Sequence, residues 1–168
     1  MELLDILDEY GNKTGKVIER GLPLAEGKYF LIVDVWIKNN NGEFLISKRT
    51  PNSIPDPNKW QPTCGCVIAG EDSITAALRE TTEELGVTLN PLKGKMVRRF
   101  IGWPGAFIDV WLFCQEVEIS TVILCPNETV DVRWASKELV KRLYEHGDFI
   151  RQGKLPYMDD LDGFFTDI

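Results

Sequence analysis

The chain has 168 residues, a length that suits one domain with a sizeable core, and its 43% hydrophobic and 27% charged residues are ordinary for a soluble globular protein. A net charge of −7 and a pI near 4.8 offer no counterion-release gain at a polyphosphate backbone, which argues against duplex nucleic acid as a partner. Small phosphorylated ligands stay compatible, since a divalent cation can bridge two anions. No apolar run approaches the roughly 18 residues that span a bilayer. The acidic start MELLDILDEYGNK lacks the basic segment and apolar core of a signal peptide, so a cytoplasmic location is expected.

Residues 2–9 and 15–19 flank a turn at 10–14 and read as an N-terminal hairpin, joined to the rest by the connector 21–27. Residues 29–38, YFLIVDVWIK, are apolar at nearly every position and predict a central strand. The turn 39–42, NNNG, returns the chain into a strand at 43–48. Three prolines within 51–58 make that stretch a loop. Residues 60–68 read as a strand, followed by a helix that closes before Gly86. Residues 88–95 form a polar connector, and strands at 96–101 and 106–118 surround a turn at 102–105. Residues 119–127 carry no clear signal. A strand is expected at 129–134, a helix at 137–145 with Ser136 as its N-cap, and a short turn at 159–165. Strands, one helix, more strands and a last helix imply an α/β fold in which helices cover a mixed sheet, an α/β/α sandwich. With no internal repeat or low-complexity segment, one domain over 1–168 is expected.

The four cysteines are Cys64, Cys66, Cys114 and Cys125, expected as reduced thiols in a cytoplasmic chain. Cys64 and Cys66 are two apart and face the same side of a strand. No C-x-x-C pair suggests a structural zinc site. The single histidine, His146, lies near the end of the last helix, where it suits the helix dipole.

The chain is organised around residues 65–87, GCVIAGEDSITAALRETTEELGV. On a helix, Glu80, Glu83 and Glu84 stand at i, i+3 and i+4 and share a face. Like charges at that spacing repel, and a cation among their oxygens removes the conflict; hard carboxylates suit Mg²⁺ or Mn²⁺. Ile74, Ala77, Leu78, Thr81 and Leu85 form the apolar face, Asp72 is the expected N-cap, and Arg79 can pair with Glu83 four residues on. The competing reading is a solvated acidic face on an amphipathic helix.

The spacing goes further. Gly65, Glu71, Arg79-Glu80, Glu83-Glu84 and Gly86-Val87 resemble the box of the Nudix hydrolases, G, x5, E, x7, R-E-U-x-E-E-x-G-U, with U a bulky aliphatic residue. The single departure is Thr81, where the family usually has an aliphatic residue. The resemblance implies a Nudix-type α/β/α sandwich and hydrolysis of a diphosphate linkage in a nucleoside diphosphate derivative or similar small metabolite. It implies Mg²⁺ or Mn²⁺ on Glu80 and Glu84, with Glu83 shared between metal and water and the Gly65 carbonyl adding an oxygen. Glu71 and Arg79 would orient the cluster. The sequence does not separate a base from a ligand among these glutamates. Glu128, ahead of the strand VDVRW, resembles an acidic position that recurs in the family, and Asp109 is the other candidate base outside the box.

Two further readings compete. DEYGNKTG, the strand through Trp36 and KWQPTCGC resemble the branch that includes isopentenyl diphosphate isomerase, with Cys64 in the place of the catalytic cysteine. Phe30 and Cys66 stand where that enzyme's metal site has histidines. A non-catalytic nucleotide-binding module is the third reading, although such modules usually lose box glutamates and none is lost here. Trp60 and Trp103, each beside a turn or loop, are candidates for stacking a substrate ring, Trp60 equally a core residue. Nothing in the sequence excludes a homodimer.

Overall fold

A computed structural model describes residues 2–102, 105–150 and Gly163. Trp103 and nearly all of the turn expected at 159–165 lie outside the described residues. Strands β1 (Leu3–Leu7) and β2 (Lys13–Glu19) form the N-terminal hairpin. The remaining strands are β3 (Phe30–Lys38), β4 (Phe44–Arg49), β5 (Trp60–Gln61), β6 (Thr63–Cys66), β7 (Gly94–Ile101), β8 (Ala106–Cys114) and β9 (Thr129–Ala135). They build one seven-stranded mixed sheet. Helix α1 spans Ser73–Leu85 and α2 spans Lys137–Glu145, each capped by the residue the sequence points to, Asp72 and Ser136.

The strand YFLIVDVWIK is central, with β8 parallel along one side and β6 antiparallel along the other. It meets β4 only at the hairpin end, where Lys38 pairs with Phe44. Beyond that point β3 and β4 splay, and residues 60–66 run into the opening. The single strand expected there is two. β5 pairs with β4 and β6 pairs with β3. The switch falls at Pro62, which has no N–H to give either neighbour. The connector expected at 88–95 is shorter, because Asn90 caps a 3₁₀ turn over Pro91–Lys93 and β7 starts at Gly94. The strand expected to run to 118 ends at Cys114, and residues 119–121 form another 3₁₀ turn.

The sheet has a core on each face. Val33, Val35 and Ile37 of β3 pack with Ala76, Ala77 and Leu85 of α1, while Trp36 packs with Phe44, Val140 of α2 and Phe149 on the opposite face. This alternation is the period of two of a strand buried on both sides. Thr81 is fully buried and its hydroxyl donates to the Ala77 carbonyl at 2.8 Å, so the departure from an aliphatic residue leaves no orphaned polar atom.

Two contacts position α1. The hairpin docks on the loop ahead of it: the Ala69 amide donates to the Leu3 carbonyl, the Gly70 amide to Asp5, and Lys13 to the Glu71 carbonyl. At the other end Gly86 caps the helix at φ 65°, and the amides of Ile123 and Cys125 donate to the Leu85 and Glu84 carbonyls. A Cβ on Gly86 would lie 2.9 Å from that of Ile123. Gly86→Ala should therefore lower stability by about 1–2 kcal/mol, the usual penalty of a left-handed non-glycine residue. Urea denaturation measures it; a loss below about 0.5 kcal/mol, the range of an ordinary surface change, would show that this cap is not a constraint.

Candidate active site

Glu71 sits just before α1 and Arg79 two turns inside it, and the two meet. Arg79 Nε and Nη2 donate to the two Glu71 carboxylate oxygens at 2.9 and 3.0 Å. Nη1 donates to Glu80 at 2.8 Å and to Glu83 at 3.0 Å, and Nη2 also reaches the Cys66 carbonyl at 2.9 Å. One guanidinium thus ties the strand before the loop, the loop and the helix together.

The three glutamates of the helix face are not equivalent. Glu80 and Glu84 are buried, at 8% and 4% exposure, whereas the Glu83 side chain is 56% exposed at the rim. Burial pushes Glu80 up to about 7 against the opposing pull of Arg79. Burial, reinforced by the charges of Glu80 and Glu128, holds Glu84 well above the usual carboxylate range. Gly65 explains how Glu80 fits, since a Cβ there would lie 1.9 Å from the Glu80 carboxyl carbon. Glu128 is exposed on the turn before β9, and its charge reaches both buried glutamates. The amides that close the end of α1 hold that turn near them.

The donor set fits a hard divalent cation. Glu84 Oε2 is buried with no hydrogen-bond partner, an expensive state for an oxygen unless something binds it. The carboxylates of Glu80 and Glu128 act on it, opposed by Arg49 and Thr63, and carboxylate oxygens are the ligands a hard cation takes. Among the described residues no three Asp, Glu, His or Cys side chains already close around a point, because Glu80 and Glu83 are turned onto Arg79.

Two candidates sit in structural contacts. Trp60 is a core residue at 7% exposure, with the Arg133 guanidinium 4.1 Å from its ring centre, so no face remains for a substrate ring. Asp109 is fully buried and each of its oxygens accepts a hydrogen bond from Arg99, one at 2.7 Å, so its carboxylate is held in an ion pair out of reach of bulk water. Cys64 faces Asp34 across the β3–β6 pair, and burial together with that carboxylate pushes the thiol well up. His146 lies at the end of α2, its Nδ1 2.7 Å from the Arg142 carbonyl.

The structure also shows what the sequence did not signal. A cavity of about 680 Å³ opens beside Cys64, Gly65 and Cys66, walled by the connector after β2 and by Ile54 and Pro55. Arg49 clamps this second wall, donating to the Pro55 and Asp56 carbonyls at 3.1 Å and to Gln61 at 3.0 Å.

The model of the NUDIX domain matches residues 28–153. The chain belongs to the Nudix family. It is 37% identical over 151 residues to the uncharacterized Nudix hydrolase lin0387 of Listeria innocua, covering 89% of each chain. It is 28% identical to an isopentenyl-diphosphate Delta-isomerase of Paenarthrobacter aurescens, covering 86% of this chain and 82% of that one. The crystal structure of DR0079 from Deinococcus radiodurans has the same fold, with a TM-score of 0.76 at 23% identity over 96% of this chain and 98% of that one. As a Nudix hydrolase the protein acts on pyrophosphate bonds, in a family that generally uses divalent metal ions.

The burial of Glu80 has a measurable consequence in metal-free protein. Its folded value, about 7, lies above the ordinary 4.5, so the stability tied to its protonated form is full below pH 4.5 and is lost as pH rises through 7. Each unit of such a shift is worth about 1.4 kcal/mol. Denaturation with chelator present should show wild type weakening from pH 5 to 8 and Glu80→Gln weakening less. Parallel profiles for the two proteins would contradict this electrostatic reading.

Proposed function

We propose that the chain works as one domain in the cytoplasm, hydrolysing the diphosphate linkage of a nucleoside diphosphate derivative or similar small phosphorylated metabolite with Mg²⁺ or Mn²⁺. The observation that carries this reading is the unpartnered, buried Glu84 oxygen acted on by the charges of Glu80 and Glu128, with Glu80 itself packed on Gly65. Glu80, Glu84 and the Gly65 carbonyl would hold the cation, and Arg79 with Glu71 keeps Glu80 in place. A bound divalent cation supplies charge neutralisation at the phosphates and a more acidic water.

In the reaction the water oxygen bonds to one phosphorus, the bridging P–O bond breaks, and the bridging oxygen leaves with the other phosphate. The water proton goes to a carboxylate of this chain. Glu128 is favoured for that role by its exposure and its electrostatic contact with both buried glutamates. Glu83 holds the rim of the cluster through Arg79. The isomerase reading is not favoured. The one histidine sits at the end of α2, and Cys64 is held as a thiol beside Asp34.

A panel of nucleoside diphosphate derivatives and other small organic diphosphates, assayed for phosphate release, tests the proposal. Turnover should vanish with EDTA and return with Mg²⁺ or Mn²⁺; activity indifferent to chelator, or absent throughout with metal present, would refute it. Glu84→Gln should abolish turnover and weaken Mn²⁺ binding, and Glu128→Gln should slow turnover by about 10² to 10⁴, the usual contribution of a proton-transfer group. Cys64→Ala separates hydrolase from isomerase. Hydrolysis should change by less than about tenfold in kcat/KM, whereas a thiol that moves the reacting proton would make the loss at least about a hundredfold.

A further inference from the structure

The cavity beside Gly65 has a chemical character that the hydrolase reading does not use. Its lining is more apolar than polar, with Leu4, Ile18, Leu24, Phe30, Ile32 and Ile54 among the side chains and Tyr29, Cys64 and Cys66 beside them. Among the described residues no Asn, Gln, Ser, Thr or His lines it. Glu19, Glu26 and Lys28 are exposed. Its two arginines are engaged, Arg20 with Glu2 at 2.6 Å and Arg49 with the 55–61 segment. Both also feel the buried carboxylates, Arg20 that of Glu80 and Arg49 that of Glu84. The cationic side of the cavity is therefore the side nearest the hydrolytic centre.

A nucleobase presents donors and acceptors that a selective site must meet, and a wall without amide or aliphatic hydroxyl side chains meets few of them. A hydrocarbon group needs only apolar area removed from water. We propose that the cavity takes the organic group of the substrate and that this group is apolar: the substrate is an alkyl, alkenyl or aryl diphosphate. The proposal rests on the hydrolase reading for the position of the diphosphate at Glu80 and Glu84. Hydrolysis of the P–O–P bridge by one water then gives the organic monophosphate and orthophosphate, whichever phosphorus the water attacks, with no redox partner. The apolar Leu22 and Ile54, 57% and 92% exposed, stand at the mouth, where a long group covers them.

Binding tests the cavity apart from turnover. Calorimetry with Mn²⁺ and a series of n-alkyl methylenediphosphonates, methyl to octyl, should show Kd falling by up to about fourfold for each buried methylene until the cavity is filled. Leu22→Asn and Ile54→Asn alter exposed side chains, so the fold is kept, and each should flatten that dependence. In the turnover assay octyl diphosphate should exceed ADP at least tenfold in kcat/KM. Affinity that is flat with chain length, or a preference for ADP, overturns the proposal and leaves the hydrolase reading intact. Chain-length-dependent binding without hydrolysis of any diphosphate supports the apolar site and refutes the hydrolase reading.

Discussion

Arg79 has five N–H donors in a rigid plane, and the site is built on what they reach. Two go to Glu71 and the others are shared among Glu80, Glu83 and the Cys66 carbonyl. Without that cation three carboxylates would face one another across one turn of helix and a loop, at a cost in repulsion and desolvation. Lysine would carry the charge but not the fork. The interval between Glu71 and Arg79 follows from this contact. The loop residue precedes the helix and the arginine lies two turns into it, so the chain returns on itself and the guanidinium closes the ring.

The backbone around that ring is set by the splay between β3 and β4. Because the two strands pair at only one residue pair, the chain from Trp60 to Cys66 can enter the sheet from below α1 and bring Gly65 under Glu80. Gly65 is then a boundary with two neighbours. Toward the helix its missing side chain is the space that Glu80 fills, and it also lines the cavity walled by the hairpin connector. The glycine at the head of the box is a packing requirement, whatever its carbonyl binds.

The parts of the fold legible in the sequence are those with a local cause. The central strand, the NNNG turn, both helix caps and the box helix each rest on periodicity or on one capping residue. What could not be read has a non-local cause. Residues 60–68 have a continuous strand pattern, and only the positions of β3 and β4 make Pro62 a point where pairing changes sides. Trp60 and Asp109 looked available from their neighbours in sequence; Arg133 and Arg99, distant or on another strand, cover them. Glu80, Glu83 and Glu84 are equivalent on a helical wheel, and tertiary packing alone separates the exposed Glu83 from its two buried partners. The cavity had no periodic signature because its walls come from separate strands, the connector after β2 and the loop at 54–55.

Burying two of these glutamates runs against the stability of the free chain, and their surroundings show why the arrangement persists. An acidic protein of net charge −7 repels a polyphosphate at long range. At short range the same carboxylates, held where water solvates them poorly, gain most from a cation, because the cation replaces the solvation that burial removed. Burial raises the proton affinity of Glu80 and Glu84, and a divalent ion held there as proposed would have to compete with the proton. Arg79 takes part at Glu80, where it opposes the effect of burial, while Glu71 takes up two of its bonds and none is directed at Glu84. Glu71 therefore acts from outside the cluster: it fixes the guanidinium at the loop and leaves Nη1 for Glu80 and Glu83, while the Glu84 oxygen stands buried and unpartnered.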